Sequence, residues 1–200
     1  RITASQIMAT YILPDLLVPL HAAHPELAIE VVASDETNNL SRREADIALR
    51  MYRPTQNDMI TQHVGDMPIA AYGAHSYLER HGAFKTVDDL MTCDLIGYDR
   101  STLIIDGLRA HGFKVSRDSF KFRSDDQVVC WQMVRAGFGV GFNQMTIGDA
   151  DDTVINLSGP APVASIPVWL TAHPELRHTP RIRRVFDHLR DGLRQLAKGV

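Results

Sequence analysis

The sequence predicts an α/β protein made of two lobes. Strand-like and helix-like segments alternate over residues 1–51, and this order favours parallel strands joined by right-handed crossovers. The chain changes character at residues 73–75, and the alternation then restarts and continues to residue 142. A chain of 200 residues with 44% hydrophobic and 22% charged content is long enough to bury a substantial core.

The first lobe is predicted from four segments. Residues 1–4 form a short strand, and apolar side chains at helical spacing predict a helix over residues 7–24 that is kinked at its prolines. Alternating apolar residues predict a largely buried strand over residues 27–32, and a polar loop follows it. A further strand covers residues 45–51.

The second lobe is predicted from a similar alternation, after two strands between residues 59 and 72. We expect, in order, a helix ending near 81–82, a short helix at 86–91, a strand at 94–98, a helix at 102–111, a strand at 119–124, a helix from 125 or 126 to 135 and a strand at 138–142. Strands at 154–157 and 165–172 and a helix from about Pro180 complete the chain. That last helix has an apolar stripe, which must dock on a lobe.

Charge and hydropathy exclude two kinds of partner for this chain on its own. A net charge of −3 and a pI near 6.3 give no large positive field of the kind that holds a protein on nucleic acid. The arginines between Arg181 and Arg194 are read as a solvated helix face rather than as phosphate ligands. No apolar run approaches the roughly 20 residues needed to cross a bilayer, and we expect no membrane contact. The start at Arg1, directly in a strand, predicts that a segment is missing upstream.

The two cysteines indicate a reducing, cytoplasmic compartment. Cys93 and Cys130 are not a close-spaced pair, so a disulfide framework is not expected. A redox-sensor role for Cys130 is the less favoured alternative, because such sensors need an exposed thiol of low pKa and a resolving partner.

Ligands of open α/β sheets bind beyond the carboxyl ends of the strands, and this rule selects the candidate site. After the strands of the first lobe it selects Ser5, Gln6, Ile7, Glu36, Thr37, Tyr52 and Arg53. After those of the second lobe it selects Arg100, Ser101, Thr102, Asp126, Gln127, Phe142 and Asn143.

Several of these residues also have plain structural interpretations. Ser5 and Thr37 are either ligand contacts or simple helix caps, since hydroxyl oxygens accept from free N–H groups at any helix start. Arg53 and Arg100 are either solvated surface charges or bidentate anchors for a carboxylate. Both alternatives stay open at the level of sequence.

Other chemistry-bearing residues favour structural roles. Trp131 and Met133 fit the core side of their helix better than a pocket wall. His21 and His24 lie three apart on a helix, but no further ligand is near them in sequence, so neither a metal site nor a cofactor is predicted. The sequence has no Gly-x-Ser-x-Gly, phosphate loop or paired metal motif, and we therefore do not expect an enzyme.

Five segments, taken in order and spacing, carry a family resemblance. They are Arg1-Ile2-Thr3-Ala4-Ser5, Leu13-Pro14, His24-Pro25-Glu26-Leu27, Ala45-Asp46-Ile47-Ala48-Leu49-Arg50 and Ala136-Gly137-Phe138-Gly139-Val140-Gly141. Together they resemble the effector-binding domain of LysR-type transcriptional regulators over essentially the whole chain. The resemblance implies a two-lobed periplasmic-binding-protein-like fold of type 2, with residues 1–72 and 168–200 in lobe I, residues 73–167 in lobe II, and two crossing strands between them.

The resemblance also implies a function. A ligand-sensing regulator of this family would bind a small-molecule effector in the cleft between its lobes, and would contact DNA only through an N-terminal winged helix-turn-helix domain absent from this chain. It would assemble as a homodimer or homotetramer. The arginines, hydroxyls and amides among the candidate site residues suit a small carboxylate as the effector. The family's effector contacts match the strand-end segments selected above, but many relatives have a proline where this chain has Phe142-Asn143-Gln144. The alternative is an extracytoplasmic solute-binding protein for transport, which the free cysteines and the lack of a signal segment disfavour.

Overall fold

Local sequence signals place most of the helices and strands of the molecule. The computed structural model describes residues 1–35, 45–54, 59–82, 84, 86–174 and 179–198. The elements in chain order are β1 (Ile2–Ala4), α1 (Gln6–Tyr11), α2 (Leu13–Ala23), β2 (Val31–Ala33), β3 (Ile47–Arg50), β4 (Ile60–Ala74), α3 (His75–His81), a 3₁₀ helix (Val87–Thr92), β5 (Leu95–Gly97), α4 (Leu103–Ala110), a second 3₁₀ helix (Arg117–Ser119), β6 (Phe120–Arg123), α5 (Gln127–Arg135), β7 (Val140–Gln144), α6 (Met145–Gly148), β8 (Val154–Asn156), β9 (Ala164–Ala172) and α7 (Pro180–Lys198).

The chain divides into two compact units. Unit 1 contains Arg1–Met67 and Ile166–Val200, and unit 2 contains Pro68–Ser165. Strands β4 and β9 each contribute residues to both units. The divisions fall a few residues before the lobe boundaries that the sequence predicts, after residues 72 and 167.

Unit 1 is built on a sheet with the strand order β2-β1-β3-β9. Strand β1 pairs in parallel with β2 and β3, as the alternation of elements predicts, and β9 pairs with β3 in antiparallel fashion. The amphipathic helix α7 buries Val185, Leu189 and Leu193. It docks on α2, where the His188 Nε2 lies 2.7 Å from the Leu16 carbonyl oxygen. The predicted docking of this helix is confirmed.

Unit 2 has the strand order β8-β4-β7-β5-β6. Strand β5 is parallel to β6 and β7, and β4 is antiparallel to β7 and β8. Trp131 is 2% exposed and packs edge-on against Tyr72, with 5.6 Å between the ring centroids. Its predicted place in the core is confirmed.

Helix ends follow the predicted chemistry in unit 2. The Asp126 carboxylate accepts hydrogen bonds from the Val128 and Val129 N–H groups at 2.9 and 3.0 Å, which caps α5. Gly112 and Gly137 have φ of 87° and 78° just beyond α4 and α5, a conformation that favours glycine.

Three element predictions are wrong. Residues 59–72 hold one strand, β4, instead of two. Gly65 lies inside this strand at a close packing position, where a Cβ would lie 2.4 Å from the Ala197 Cβ. The glycine therefore allows a helix to approach the strand and does not turn the chain. The helix expected over 7–24 breaks at Ile12, and Pro14 lies in the first turn of the second helix instead of kinking a single one.

The third wrong prediction is the buried strand over residues 27–32. Only Val31–Ala33 form β2, and this strand is at the edge of its sheet with β1 as its neighbour, so Val31 is 42% exposed. In unit 2, the strand expected at 138–142 runs from 140 to 144, and the short helix α6 that follows it was not predicted. Within the described residues no helix is long and apolar enough to cross a membrane.

Candidate functional site

The parallel register of unit 1 brings the predicted strand-end residues to one edge of the sheet. The last residues paired across β1 are Ala4 with Ala33 of β2 and with Leu49 of β3. Ser5 and Ser34 come next along their strands and start loops at the carboxyl edge, and Arg50 is the last residue of β3. This is the edge at which open α/β sheets bind ligands. Glu36 and Thr37, which the sequence also selects, lie outside the described residues.

Ser5 is buried, and its hydroxyl is unused. The residue is 7% exposed and precedes α1, but its side chain makes no capping hydrogen bond. Its Oγ is buried without a hydrogen-bond partner in the part of the chain that the structure describes. The plain capping interpretation of Ser5 is therefore wrong. A buried hydroxyl without a partner costs about 1–3 kcal/mol, which a hydrogen-bonding ligand would recover.

Arg50 is a buried cation at the same edge, and the sequence analysis missed it as a site residue. The side chain is 3% exposed, and its Nη2 donates to the Thr3 Oγ1 at 3.2 Å. Its Nη1 lies 3.5 Å from the carbonyl oxygens of Ser34 and Leu49, which is at the limit of a hydrogen bond. The Nε has no hydrogen-bond partner among the described residues. One donor of a buried guanidinium is thus left for another acceptor.

Two nearby groups partly offset the cost of burying the Arg50 charge. Burial lowers the pKa of Arg50 from its ordinary value, while the hydroxyl of Tyr52 and the carboxylate of Asp35 oppose that shift. Asp35 also accepts a hydrogen bond from the Gln6 N–H at 3.3 Å. Because arginine stays protonated in proteins, the edge carries a desolvated positive charge that is only partly compensated. The sequence contains one signal that could have identified Arg50 as a site residue, because this arginine ends an otherwise apolar strand.

Two other predicted residues of unit 1, Ile7 and Arg53, pack against other residues of the protein. Ile7 is 1% exposed and belongs to the core under the edge. Arg53 is exposed, and its guanidinium carbon lies 5.6 Å from the ring centroid of Trp169, within the range of a cation–π contact. Trp169 also packs against His63, with 5.0 Å between the ring centroids.

In unit 2, the loop after β5 is organised around one carboxylate. The backbone N–H groups of Asp99, Arg100 and Ser101 donate to the Asp125 Oδ1 at 3.2, 3.0 and 3.3 Å. The Arg100 Nε donates to the Asp125 Oδ2 at 2.7 Å. These contacts, first of all the one from the Arg100 side chain, lower the pKa of Asp125 to about 2. The Arg100 side chain is 86% exposed, and its Nε is engaged by a protein carboxylate.

Thr102, Ser101 and Gln127 differ in the hydrogen bonds that their side chains make. The Thr102 hydroxyl donates to the Asp106 carboxylate at 2.7 Å, and the Ser101 Oγ accepts from the Leu103 N–H at 3.5 Å. Gln127 is half-buried as the first residue of α5. Of the predicted residues in unit 2, Arg100, Ser101 and Thr102 share one loop.

Phe142 and Asn143 lie inside β7 and not after it, because the strand continues to Gln144. Asn143 is 6% exposed, and its Oδ1 accepts from the Gln144 N–H at 2.9 Å. Its Nδ2 is buried without a hydrogen-bond partner among the described residues. The Asn143 side chain thus has an amide donor that no described residue uses.

Redox and metal chemistry find little support in the described residues. Burial raises the pKa of Cys130 to about 11, against an opposing hydrogen bond to the Ser124 backbone, so the thiol is protonated at neutral pH. Burial also raises the pKa of Cys93. Among the residues that the structure describes, no three His, Cys, Asp or Glu side chains come together as a metal site.

The chain matches one known protein family over nearly its whole length. The family described as LysR substrate binding domain matches residues 1–194. The chain belongs to this family. The match covers both described units and includes every strand end discussed above.

Curated relatives of this LysR substrate-binding domain are transcriptional regulators. The chain is 34% identical over 67 residues to the Mau operon transcriptional activator of Paracoccus denitrificans, which is 34% of this chain and 24% of the relative. It is 24% identical over 98 residues to the HTH-type transcriptional regulator CrgA of Neisseria meningitidis, which is 49% of this chain and 33% of the relative. The matched segments span only about a quarter to a third of these relatives.

Solved structures show the same fold. The CrgA regulatory domain of Neisseria meningitidis superposes with a TM-score of 0.81 at 20% identity, over 96% of this chain and 97% of that one. The effector domain of the regulator AmpR of Pseudomonas aeruginosa gives a TM-score of 0.81 at 15% identity, over 99% and 96% of the two chains. The predicted α/β, periplasmic-binding-protein-like fold is therefore confirmed.

Proposed function

We propose that this domain is the ligand-sensing part of a LysR-type DNA-binding transcription factor and that it binds a small anionic effector. The family match supports the regulatory role. The buried Arg50, whose Nε has no hydrogen-bond partner in the described part of the chain, supports the anionic class of the effector. The interlobe cleft as the place of binding stays a prediction.

In this proposal the acidic group of the effector binds at the carboxyl edge of unit 1. Ser5 and Arg50 follow the last paired residues of neighbouring strands, Ala4 and Leu49. A carboxylate there would accept one hydrogen bond from the Ser5 hydroxyl and one from the Arg50 Nε, both of which are buried without a partner in the described part of the chain. Charge-assisted hydrogen bonds of this kind contribute about 1.5–3 kcal/mol each.

The other parts of the proposal come from the family. DNA would be contacted by a helix-turn-helix domain outside this chain, in the cytoplasm, and the regulator would work as a homodimer or homotetramer. We propose that the domain catalyses no reaction. The transport alternative is not favoured, because the matching family and the relatives are regulators.

The test compares ligand binding with folding stability in one variant. Small mono- and dicarboxylic acids are screened by thermal shift, and calorimetry then measures the Kd of any acid that stabilises the chain. Because the Ser5 hydroxyl has no hydrogen-bond partner among the described residues, Ser5→Ala should leave the free energy of unfolding unchanged or slightly higher. It should raise the Kd roughly tenfold to a hundredfold.

Thr10→Ala is the matched control, since the Thr10 hydroxyl on the same helix is exposed and donates only to the Gln6 carbonyl at 2.8 Å. This variant should bind the acid with the affinity of the parent chain. Equal affinity of the parent and Ser5→Ala would disprove the position of the site. An absence of stabilisation by every acid tested would disprove the anionic class.

A further inference from the structure

The loop after β5 has the geometry of an anion site that is already occupied. Three consecutive N–H groups, from Asp99 to Ser101, converge on one oxygen of the Asp125 carboxylate at 3.0–3.3 Å. The Arg100 Nε binds the other oxygen at 2.7 Å. Successive backbone N–H groups that point to one centre form an anion-binding nest, and a guanidinium beside it adds charge.

The carboxylate reaches this nest from another part of the chain. Asp125 follows β6 and is separated from Arg100 by 25 residues in sequence. Its side chain is 27% exposed, so solvent reaches the position that the carboxylate occupies. The neighbouring Asp126 caps α5, so capping that helix does not require Asp125.

We propose that residues 99–101, with the Arg100 side chain, form a carboxylate-binding site that Asp125 fills as an internal ligand. The filled site closes this loop to external anions. An external carboxylate therefore finds no free site at this loop of unit 2 in the parent chain. This inference does not depend on the proposed function.

The experiment is a chemical rescue in the whole 200-residue chain. Asp125→Ala removes the carboxylate and leaves a space that acetate fits. We expect the Tm of this variant to fall by several degrees and to rise again with sodium acetate, reaching a plateau as the site saturates. Sodium chloride at equal ionic strength and acetamide, the neutral isostere of acetic acid, should not restore the Tm.

Matched variants separate the site from general salt effects. Asp118→Ala removes another exposed acidic residue of unit 2 and should show no response specific to acetate. Combining Asp125→Ala with Arg100→Gln should weaken acetate binding at least tenfold, because the charge-assisted hydrogen bond is lost. Equal effects of acetate and chloride on the Tm of Asp125→Ala would overturn the proposal.

Amide NMR of the parent chain tests the occupied state even if the variant does not fold. The resonances of Asp99, Arg100 and Ser101 should not move when acetate is added to the parent, because Asp125 holds the site. They should move in Asp125→Ala, because the side chain that fills the site is gone. Movement in the parent at millimolar acetate would show an open site and overturn the proposal, while leaving the Ser5 test of the effector unaffected.

Discussion

At the scale of single residues, buried polar atoms without a hydrogen-bond partner occur in two places, at the carboxyl edge of a sheet and in the core. Among the described residues, Ser5 Oγ and Arg50 Nε are buried without a hydrogen-bond partner at the carboxyl edge of a sheet, which is where open α/β sheets bind ligands. Trp131 Nε1 also has no partner among these residues, but its ring is packed in the core beside Tyr72. Position in the sheet therefore decides which unpaired atoms indicate a site.

Two glycines of unit 2 should respond to alanine in opposite directions. A Cβ on Gly139 would lie 1.9 Å from the Asp94 carbonyl oxygen, which is backbone and cannot turn away. We expect Gly139→Ala to lower the free energy of unfolding by at least about 1–3 kcal/mol. At Gly107, inside α4, no atom lies within 4 Å of such a Cβ. Gly107→Ala should therefore raise the free energy of unfolding by about 0.5–1 kcal/mol. Urea denaturation measures both changes, and a loss of stability in Gly107→Ala would contradict the second.

The Cys130 thiol should be slow to react. Burial raises its pKa to about 11, and the thiol donates to the Ser124 carbonyl at 3.2 Å. Since the thiolate is the reactive form, alkylation by iodoacetamide at pH 8 should be much slower in the folded chain than in urea. Mass spectrometry after timed quenching measures the two rates. Rapid modification of the folded chain, or oxidation by dilute peroxide, would restore the redox-sensor alternative.

At the scale of elements, helix caps explain where helices begin, and the position of a strand in its sheet explains its exposure. Helix α5 begins at Gln127 because the Asp126 carboxylate accepts from two N–H groups of its first turn. Strand β2 is short and exposed because it pairs with β1 at the edge of the sheet.

The α5 cap gives a prediction for this element. Asp126→Ala removes the acceptor for the Val128 and Val129 N–H groups and should destabilise the chain by about 0.5–2 kcal/mol. Asp126→Ser keeps a capping oxygen and should retain most of the stability. Chemical denaturation followed by circular dichroism compares the three chains. Equal midpoints for the parent and Asp126→Ala would show that the cap contributes nothing.

At the scale of the whole molecule, stability should fall in acid. A hydrogen bond from the Arg100 side chain lowers the pKa of Asp125 to about 2, and one from Arg190 lowers the pKa of Asp191. Unfolded aspartates titrate near about 3.9, so below that pH the unfolded chain binds more protons than the folded one. The stability from these pairs is complete above about pH 5 and is lost as the pH falls towards 2.

Urea midpoints between pH 7 and pH 2.5 measure this dependence. The midpoint should stay nearly constant from pH 7 to pH 5 and then decrease. Asp125→Asn should reduce the decrease, because the substituted side chain does not titrate. A midpoint that is the same at pH 5 and pH 3 would contradict the assignment of both pairs.

The sequence by itself determined the α/β class, the order of most elements and the helix ends. These features depend on neighbours within a few residues, such as Asp126 before α5 or Gly137 after it, and local chemistry is readable from local sequence. It also selected the strand ends, because parallel strands with connecting helices place their carboxyl ends at one edge.

Only the tertiary structure decided which strand-end groups are left for a ligand. Arg50 is buried because its guanidinium reaches Thr3, 47 residues earlier, and Asp125 fills its nest through contacts with a loop 25 residues away. Likewise Gly65 of β4 packs against Ala197 of α7, a helix at the other end of the chain. Burial and hydrogen-bond partners of this kind arise from distant segments meeting in the fold, and no local pattern of residues encodes them.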